Sequence, residues 1–389
     1  MTKVLIATDG FLPRWDGIVR FLLELVPLLE KDFSVRIVAP KFEGEFNNPF
    51  NSPVYRFELM STRVGDIRFS RVRKKEMMPH VKWADVVFTQ SLGSIGMASI
   101  SCARKAKKPV VSFLHLIEWE LATKSIRRFK RFARVLVYWI TRYYYNKCDL
   151  LLCPSEELLY LYERNSIKTP KKLVSLGLDV NHFKPAQKYE AKKNLGVDPE
   201  SIIIGYHGRI GREKDLLTLY RAFRRVEKKS TNVKLMIVGK GVRDVEDIFT
   251  STRNVILPGA QNDVVPFLQA IDIYVMPSLT ETTSLSTLEA MSCGLPVIST
   301  PAGSIKSYIK ERENGMLFPF KNSMRLAMKI EVLIQDKSLR ERLGRRAREY
   351  VQGNFNWEDT YSQVKEVLEE FKGHKFFNIE QKPETDGKR

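Results

Sequence analysis

The chain has 389 residues, 43% hydrophobic and 28% charged, with 64 Lys and Arg against 45 Asp and Glu for a formal net charge of +19. That length suits two domains that each bury a core, and no apolar run approaches the roughly 20 residues of a membrane-spanning helix. The positive excess concentrates in the first half and points to a polyanion or an anionic membrane surface as partner; it carries no information about the fold.

Val4–Thr8 reads as a first buried strand, too short and too soon followed by Asp9 to be a signal peptide. A loop ending in Asp16-Gly17 leads into helical spacing through Ile18, Phe21, Leu22, Leu25, Val26 and Leu29. Glycine before a helix lets backbone approach a phosphate or a sugar closely, although any strand-to-helix unit has such a turn. Apolar runs recur at Val35–Ala39, Val54–Phe57, Val86–Thr89, Val110–Leu114 and Leu150–Cys153, the pattern of a parallel sheet covered on both faces. His115 stands just past a strand end, where a histidine can bond a sugar or handle a proton, or serve structure alone.

Lys124–Lys147 carries Lys124, Arg127, Arg128, Lys130, Arg131, Arg134, Arg142 and Lys147 with no acidic residue. Phe129, Phe132, Leu136, Trp139, Ile140 and Tyr143 follow spacings of three and four, an apolar helical stripe. Either this stripe packs on its own sheet, or it forms a basic aromatic face at a membrane, gaining about 1 kcal/mol per basic residue near anionic lipid. On the second reading the face around Arg127–Arg134 touches the membrane and positions a lipid-linked acceptor. Nucleic acid is the weaker partner, since no recognised nucleic-acid motif accompanies the charge.

Beyond Lys172–Ser175 and a Lys-rich linker, further strands are expected at Ile202–Tyr206, Val233–Val238, Val255–Pro258, Ile273–Met276, Pro296–Thr300 and Met316–Phe318. Gly208-Arg209-Ile210-Gly211-Arg212-Glu213-Lys214 follows the first of these at its carboxyl end. Arg209 offers a forked pair of donors and Lys214 a mobile point charge, together suited to a diphosphate. Met276–Thr300 reads as strand, polar loop, helix and strand, with Glu281 in the loop and Glu289 in the helix. Free amides at a helix start suit a phosphate, and ionised carboxylates suit the hydroxyls of a polyol. Phosphate and hydroxyls together suggest a sugar nucleotide. The four cysteines form no CxxC unit and sit beside apolar residues, as buried free thiols would. Trp357–Lys372 reads as a last amphipathic helix, and 373–389 as a polar tail expected to be disordered.

The two stretches Gly208–Lys214 and Glu281–Val297 resemble the markers of the retaining GT-B glycosyltransferases of family 4: a G-R-x₃-E-K element, and a Glu-x₇-Glu element followed by A-M-x-x-G-x-P-V. The resemblance spans nearly the whole chain. It implies an α/β GT-B fold, two Rossmann-like doubly wound domains facing across a cleft. The expected division is 1–180 for an acceptor-side domain, 181–355 for a sugar-nucleotide domain, and 356–372 for a helix crossing back. It implies a hexosyltransferase using a UDP- or GDP-sugar without a metal cofactor, and no Asp-x-Asp cluster stands near either glycine loop. In that reading Arg209 and Lys214 neutralise the leaving diphosphate, while Glu281 holds donor-sugar hydroxyls and Glu289 the ribose. The amides of Ser284 and Leu285 hold the phosphate, Gly17 and Gly239 let backbone approach the donor, and Gly259–Asn262 cups the base. His115 lies against the donor sugar and Glu118 serves the acceptor. The chain departs from the pattern at Asp16, where a second glycine is usual, and at Ser284, where glycine is usual. The acceptor would be a lipid or lipid-linked glycan, with the enzyme in the cytoplasm or peripheral on the inner membrane face. A GT-B epimerase or phosphorylase, a sugar-nucleotide-binding protein without catalysis, and a basic nucleic-acid- or membrane-binding protein are the alternatives.

Overall fold

The computed structural model describes residues 1–372 except 15, 65–66, 126–128 and 251. The apolar runs form two sheets. The first contains β1 (Thr2–Ala7), β2 (Phe33–Lys41), β3 (Val54–Val64), β4 (Ile67–Ser70), β5 (Val86–Thr89), β6 (Val110–Phe113), β7 (Leu150–Cys153) and β8 (Lys171–Leu173). The second contains β9 (Ile202–His207), β10 (Val233–Val238), β11 (Val255–Gly259), β12 (Ile273–Met276), β13 (Val297–Ser299) and β14 (Met316–Leu317). Strands such as β5, β6 and β12 are buried at every position, as continuous Val, Ile and Phe runs require when helices cover both faces.

The strand orders are β4-β3-β2-β1-β5-β6-β7-β8 and β11-β10-β9-β12-β13-β14. Each order reverses direction once, between β1 and β5 and between β9 and β12, which opens a crevice beyond the carboxyl ends of those strands. The loops leaving β1, β9 and β12 therefore converge on the gap between the domains. The fold is the expected pair of Rossmann-like α/β domains. It differs from a purely parallel reading at one edge: β3 runs on to Val64 and pairs antiparallel with β4. That hairpin's alternating polar residues left no continuous apolar run to mark it.

Helix Gly17–Leu29 buries Ile18, Phe21, Leu22, Leu25, Val26 and Leu29 against the first sheet. Asp16 starts it, its carboxylate accepting from the amides of Ile18 and Val19 at 3.0 Å each. The last described helix, Trp357–Glu370, places Val364, Val367 and Leu368 in the core of the first domain, and Lys365 Nζ lies 2.8 Å from Asp32. The chain thus passes between the domains twice, and the passages touch: the amide of Leu178 donates to the carbonyl of Phe355 at 3.3 Å. A Cβ added at Gly177 would meet Trp357 Cα at 2.5 Å. All four cysteines are free and buried, and burial pushes the Cys153 and Cys293 thiols up to about 12. The expected disordered tail, 373–389, lies outside the described residues.

Candidate active site

The site is built on two backbone turns that need glycine. Gly208 and Gly239, at the ends of β9 and β10, have φ of +134° and +145°. A Cβ on Gly239 would stand 2.0 Å from the carbonyl oxygen of Gly208, so the turns close on each other only without side chains. Beyond them the Ile210 amide donates to the Lys240 carbonyl at 3.2 Å, and Ile210 pairs with Gly241. This locks the segment carrying Arg209 and Lys214. The Arg209 guanidinium donates to the carboxylate of Glu213, which is buried; the Glu213 carbonyl accepts from the amide of Leu279 at 2.7 Å. Through Glu213, the loop after β9 is fixed to the loop after β12.

That second loop brings Glu281 to the cations: Lys214 Nζ donates to Glu281 Oε1 at 2.6 Å. Residues 67 positions apart in sequence therefore share one site. The loop rests on Gly303 (φ +53°), where a Cβ would lie 2.1 Å from the Glu281 carbonyl oxygen, and the amide of Ser304 donates to the Thr282 carbonyl at 2.8 Å. Ser284 adopts φ +62° at the start of helix Leu285–Ser292, which accounts for glycine being usual there; its hydroxyl lies 2.8 Å from that of Thr287. Glu289, one turn further, is almost fully buried between His207 Nε2 at 2.6 Å and Arg20 Nε at 3.5 Å. Burial opposes its ionisation, but the His207 hydrogen bond and the nearby Arg20 outweigh it and hold the carboxyl below the usual range.

The first domain closes the other wall. Thr282 Oγ1 donates to the His115 carbonyl at 3.0 Å, and Thr280 Oγ1 donates to Glu120 at 3.1 Å, so the loop carrying Glu281 is bonded across the cleft on both sides. The His115 ring stacks on Phe113 at 4.6 Å and meets Phe21 edge-on at 4.9 Å, with Nε2 3.0 Å from Gln90 Oε1. Burial among these rings lowers its pKa to about 3, which leaves the imidazole neutral.

Some expected positions lie elsewhere. Glu118 is turned away from the cleft: Tyr162 donates to its carboxylate at 2.7 Å and Tyr145 donates to the other oxygen, while burial raises its pKa. Its neighbour Glu120 is the one that reaches the Glu281 loop. Gly17 begins its helix in open space, with nothing within 4 Å of an added Cβ, and Asp16 already occupies the first amides. Lys130, Arg131 and Arg134 are exposed on helix Lys130–Tyr145, whereas Arg127 and Arg128 lie outside the described residues. The apolar stripe of that helix faces solvent: Phe132 is 70% exposed and Trp139 55%, and only Thr141 and Tyr145 are buried. His207, Glu213, Arg20 and Gly303 belong to the site and escaped the sequence reading. His207 carried a signal in ending the strand just before Gly208-Arg209, and Glu213 is the acidic residue of the G-R-x₃-E-K element, to which the sequence assigned no role; Arg20 and Gly303 reach the site only through the fold.

The family described as Glycosyltransferase Family 4 matches residues 15–182, and that described as Glycosyl transferases group 1 matches 187–350. The chain belongs to the family 4 glycosyltransferases. Among curated relatives of this glycosyltransferase, sulfoquinovosyl transferase SQD2 of Arabidopsis thaliana is 28% identical over 92% of the chain and 70% of its own length. Alpha-monoglucosyldiacylglycerol synthase of Streptococcus pneumoniae is 24% identical over 86% of the chain and 79% of its own length. Among solved structures, Anabaena Alr3699/HepE in complex with UDP and glucose superposes with a TM-score of 0.78 over 95% of this chain and 99% of that one, at 17% identity. At that identity the likeness supports the GT-B fold.

Proposed function

We propose that this glycosyltransferase moves a hexosyl unit, with retention of anomeric configuration, from a UDP- or GDP-sugar to a hydroxyl of a lipid or lipid-linked glycan at the cytoplasmic face of the membrane. Its working halves are 1–180 for the acceptor and 181–355 for the donor, with 356–372 returning to the first half. The observation that carries this reading is the Lys214–Glu281 pair, which puts a diphosphate-binding cation and a sugar-binding carboxylate in hydrogen-bond contact beneath His115. Without donor, Arg209 and Lys214 are balanced by Glu213 and Glu281. An arriving diphosphate competes for the two cations and leaves Glu281 to accept from sugar hydroxyls. The cations then offset the charge that grows on the departing diphosphate, the effect that contributes most to transfer chemistry of this kind. The neutral ring of His115 contributes a hydrogen bond without repelling or titrating against the donor. Glu289, held ionised, accepts from the ribose.

The lipid acceptor is supported by the exposed Phe132, Leu136, Trp139 and Tyr143 beside Lys130, Arg131 and Arg134, a face with aromatic and cationic groups for a bilayer interface. It is also supported by the relative whose name gives a glucosyldiacylglycerol product. The test is transfer from UDP-glucose and GDP-mannose to diacylglycerol-containing vesicles, read as release of free nucleoside diphosphate. Arg209→Ala and Lys214→Ala should each slow release by roughly tenfold to a thousandfold while melting like the parent. Full turnover in both variants refutes the reading.

A further inference from the structure

Arg20 lies in the first turn of helix Gly17–Leu29, on the first domain, yet its guanidinium points across the cleft. Its Nε is 3.5 Å from Glu289 Oε1, and its Cζ lies 4.8 Å from the centroid of the Phe183 ring, in the chain's crossing to the second domain. The side chain is 20% exposed and that of Glu289 8%, so the contact is largely shielded from water and weakly screened. Phe183 holds the planar cation on its face, an arrangement open to arginine and poorly reproduced by lysine.

Two further observations give this contact a purpose. At the start of the same helix, the free amides that would suit a phosphate are taken by Asp16, which accepts from Ile18 and Val19 at 3.0 Å. Backbone contact from this loop to an anion is thus already satisfied within the chain. Glu289 in turn has capacity to spare. His207 engages Oε2 in a short hydrogen bond, whereas Arg20 approaches Oε1 beyond hydrogen-bond length, which leaves lone pairs on Oε1 for a hydroxyl donor.

We propose that Arg20 is a nucleotide-positioning residue supplied by the first domain: it orients Glu289 from across the cleft and draws the two domains together over a bound nucleoside diphosphate. The proposal rests on the reading of Glu289 as the ribose ligand. A dianionic leaving group near a permanently charged guanidinium strengthens the attraction, so nucleotide binding and cleft closure reinforce each other.

The test is calorimetric titration of the full chain with UDP, for the parent, Arg20→Ala, Arg20→Met, Arg20→Lys, Glu289→Gln and the Arg20→Ala/Glu289→Gln double variant. Melting curves without UDP identify the folded variants, and Arg20→Met keeps the apolar stem on Phe183 should Ala unsettle the fold. The expected result is a loss in UDP affinity of about tenfold or more in Arg20→Ala and Arg20→Met, partly recovered in Arg20→Lys. Once Glu289→Gln is present, Arg20→Ala should cost less than about threefold, because the two residues act as a unit. Parent-like UDP binding in folded Arg20→Ala or Arg20→Met, with binding weakened in Glu289→Gln, overturns the role of Arg20 and leaves the ribose reading standing. Parent-like binding in Glu289→Gln overturns the ribose reading and the proposal with it. Equal losses from Arg20→Ala in both backgrounds also overturn it, since Arg20 would then act without Glu289.

Discussion

At the scale of single residues, His115 illustrates how burial sets chemistry. Its ring is enclosed by Phe113 and Phe21, and its pKa falls from 6.5 to about 3. The unfolded chain therefore binds a proton between those values that the folded chain refuses, so His115 lowers stability as pH falls below about 6.5. On lowering pH from about 7.5 to about 5, the full shift would cost about 2 kcal/mol, which the half-buried position of the residue as a whole trims to about 1. His115→Gln should remove that loss, and melting curves at the two pH values check it: equal pH sensitivity of parent and variant would show that the ring titrates normally. Arg209, Lys214, Glu281 and Glu289 could be picked out from sequence because they sit at motif spacings beside strand ends. Arg20 could not: nothing on an apolar helix tells that its one early cation will meet a carboxylate 269 positions later. The sequence also does not tell Glu118 from Glu120: two residues apart in one helical turn, they face opposite ways, one toward Tyr145 and Tyr162 and one toward Thr280.

At the scale of elements, the paired turns after β9 and β10 set the position of the Arg209–Lys214 segment. In Gly239→Ala the added methyl meets the Gly208 carbonyl at 2.0 Å in a backbone region that L residues rarely adopt. The turns must separate, which should cost about 2 kcal/mol or more and move the cations away from Glu281. A lowered melting temperature together with at least about a tenfold fall in transfer is expected, and parent-like values in both would show that the turns are not what holds Arg209 in place. By contrast Asp16→Ala removes only a helix cap, at about 1 kcal/mol, and should leave transfer within about twofold. Strands were readable wherever a Val, Ile and Leu run was buried on both faces, and β4 was not because half its residues are polar. The Lys130–Tyr145 helix was readable as amphipathic, yet period alone does not say what an apolar stripe faces. The opposite face is seated by Tyr145 on Glu118 and by Tyr138 on Trp119 and the Asn165 carbonyl, which turns the stripe outward.

For the whole molecule, the surplus positive charge and the outward aromatic stripe act on the same partner. Vesicles with anionic lipid should carry the protein to the top of a density gradient more than neutral ones, and replacing Phe132 and Trp139 by Gln should abolish flotation without lowering the melting temperature. Equal recovery on both vesicle types would remove the membrane from the account. The architecture was legible as two α/β halves because each half repeats the same alternation of buried runs and helical spacings; the contacts that shut the cleft were not, since Thr280, Thr282 and Arg20 find their partners only once both halves are folded. The two passages of chain that meet at Gly177 and Trp357 give the halves one shared pivot at a single end, like jaws on a common pin. Phe21 meets both Trp357 and His115, so the imidazole sits close to that pin: opening the jaws to admit a sugar nucleotide moves it little and widens the gap most at the ends of the halves away from it.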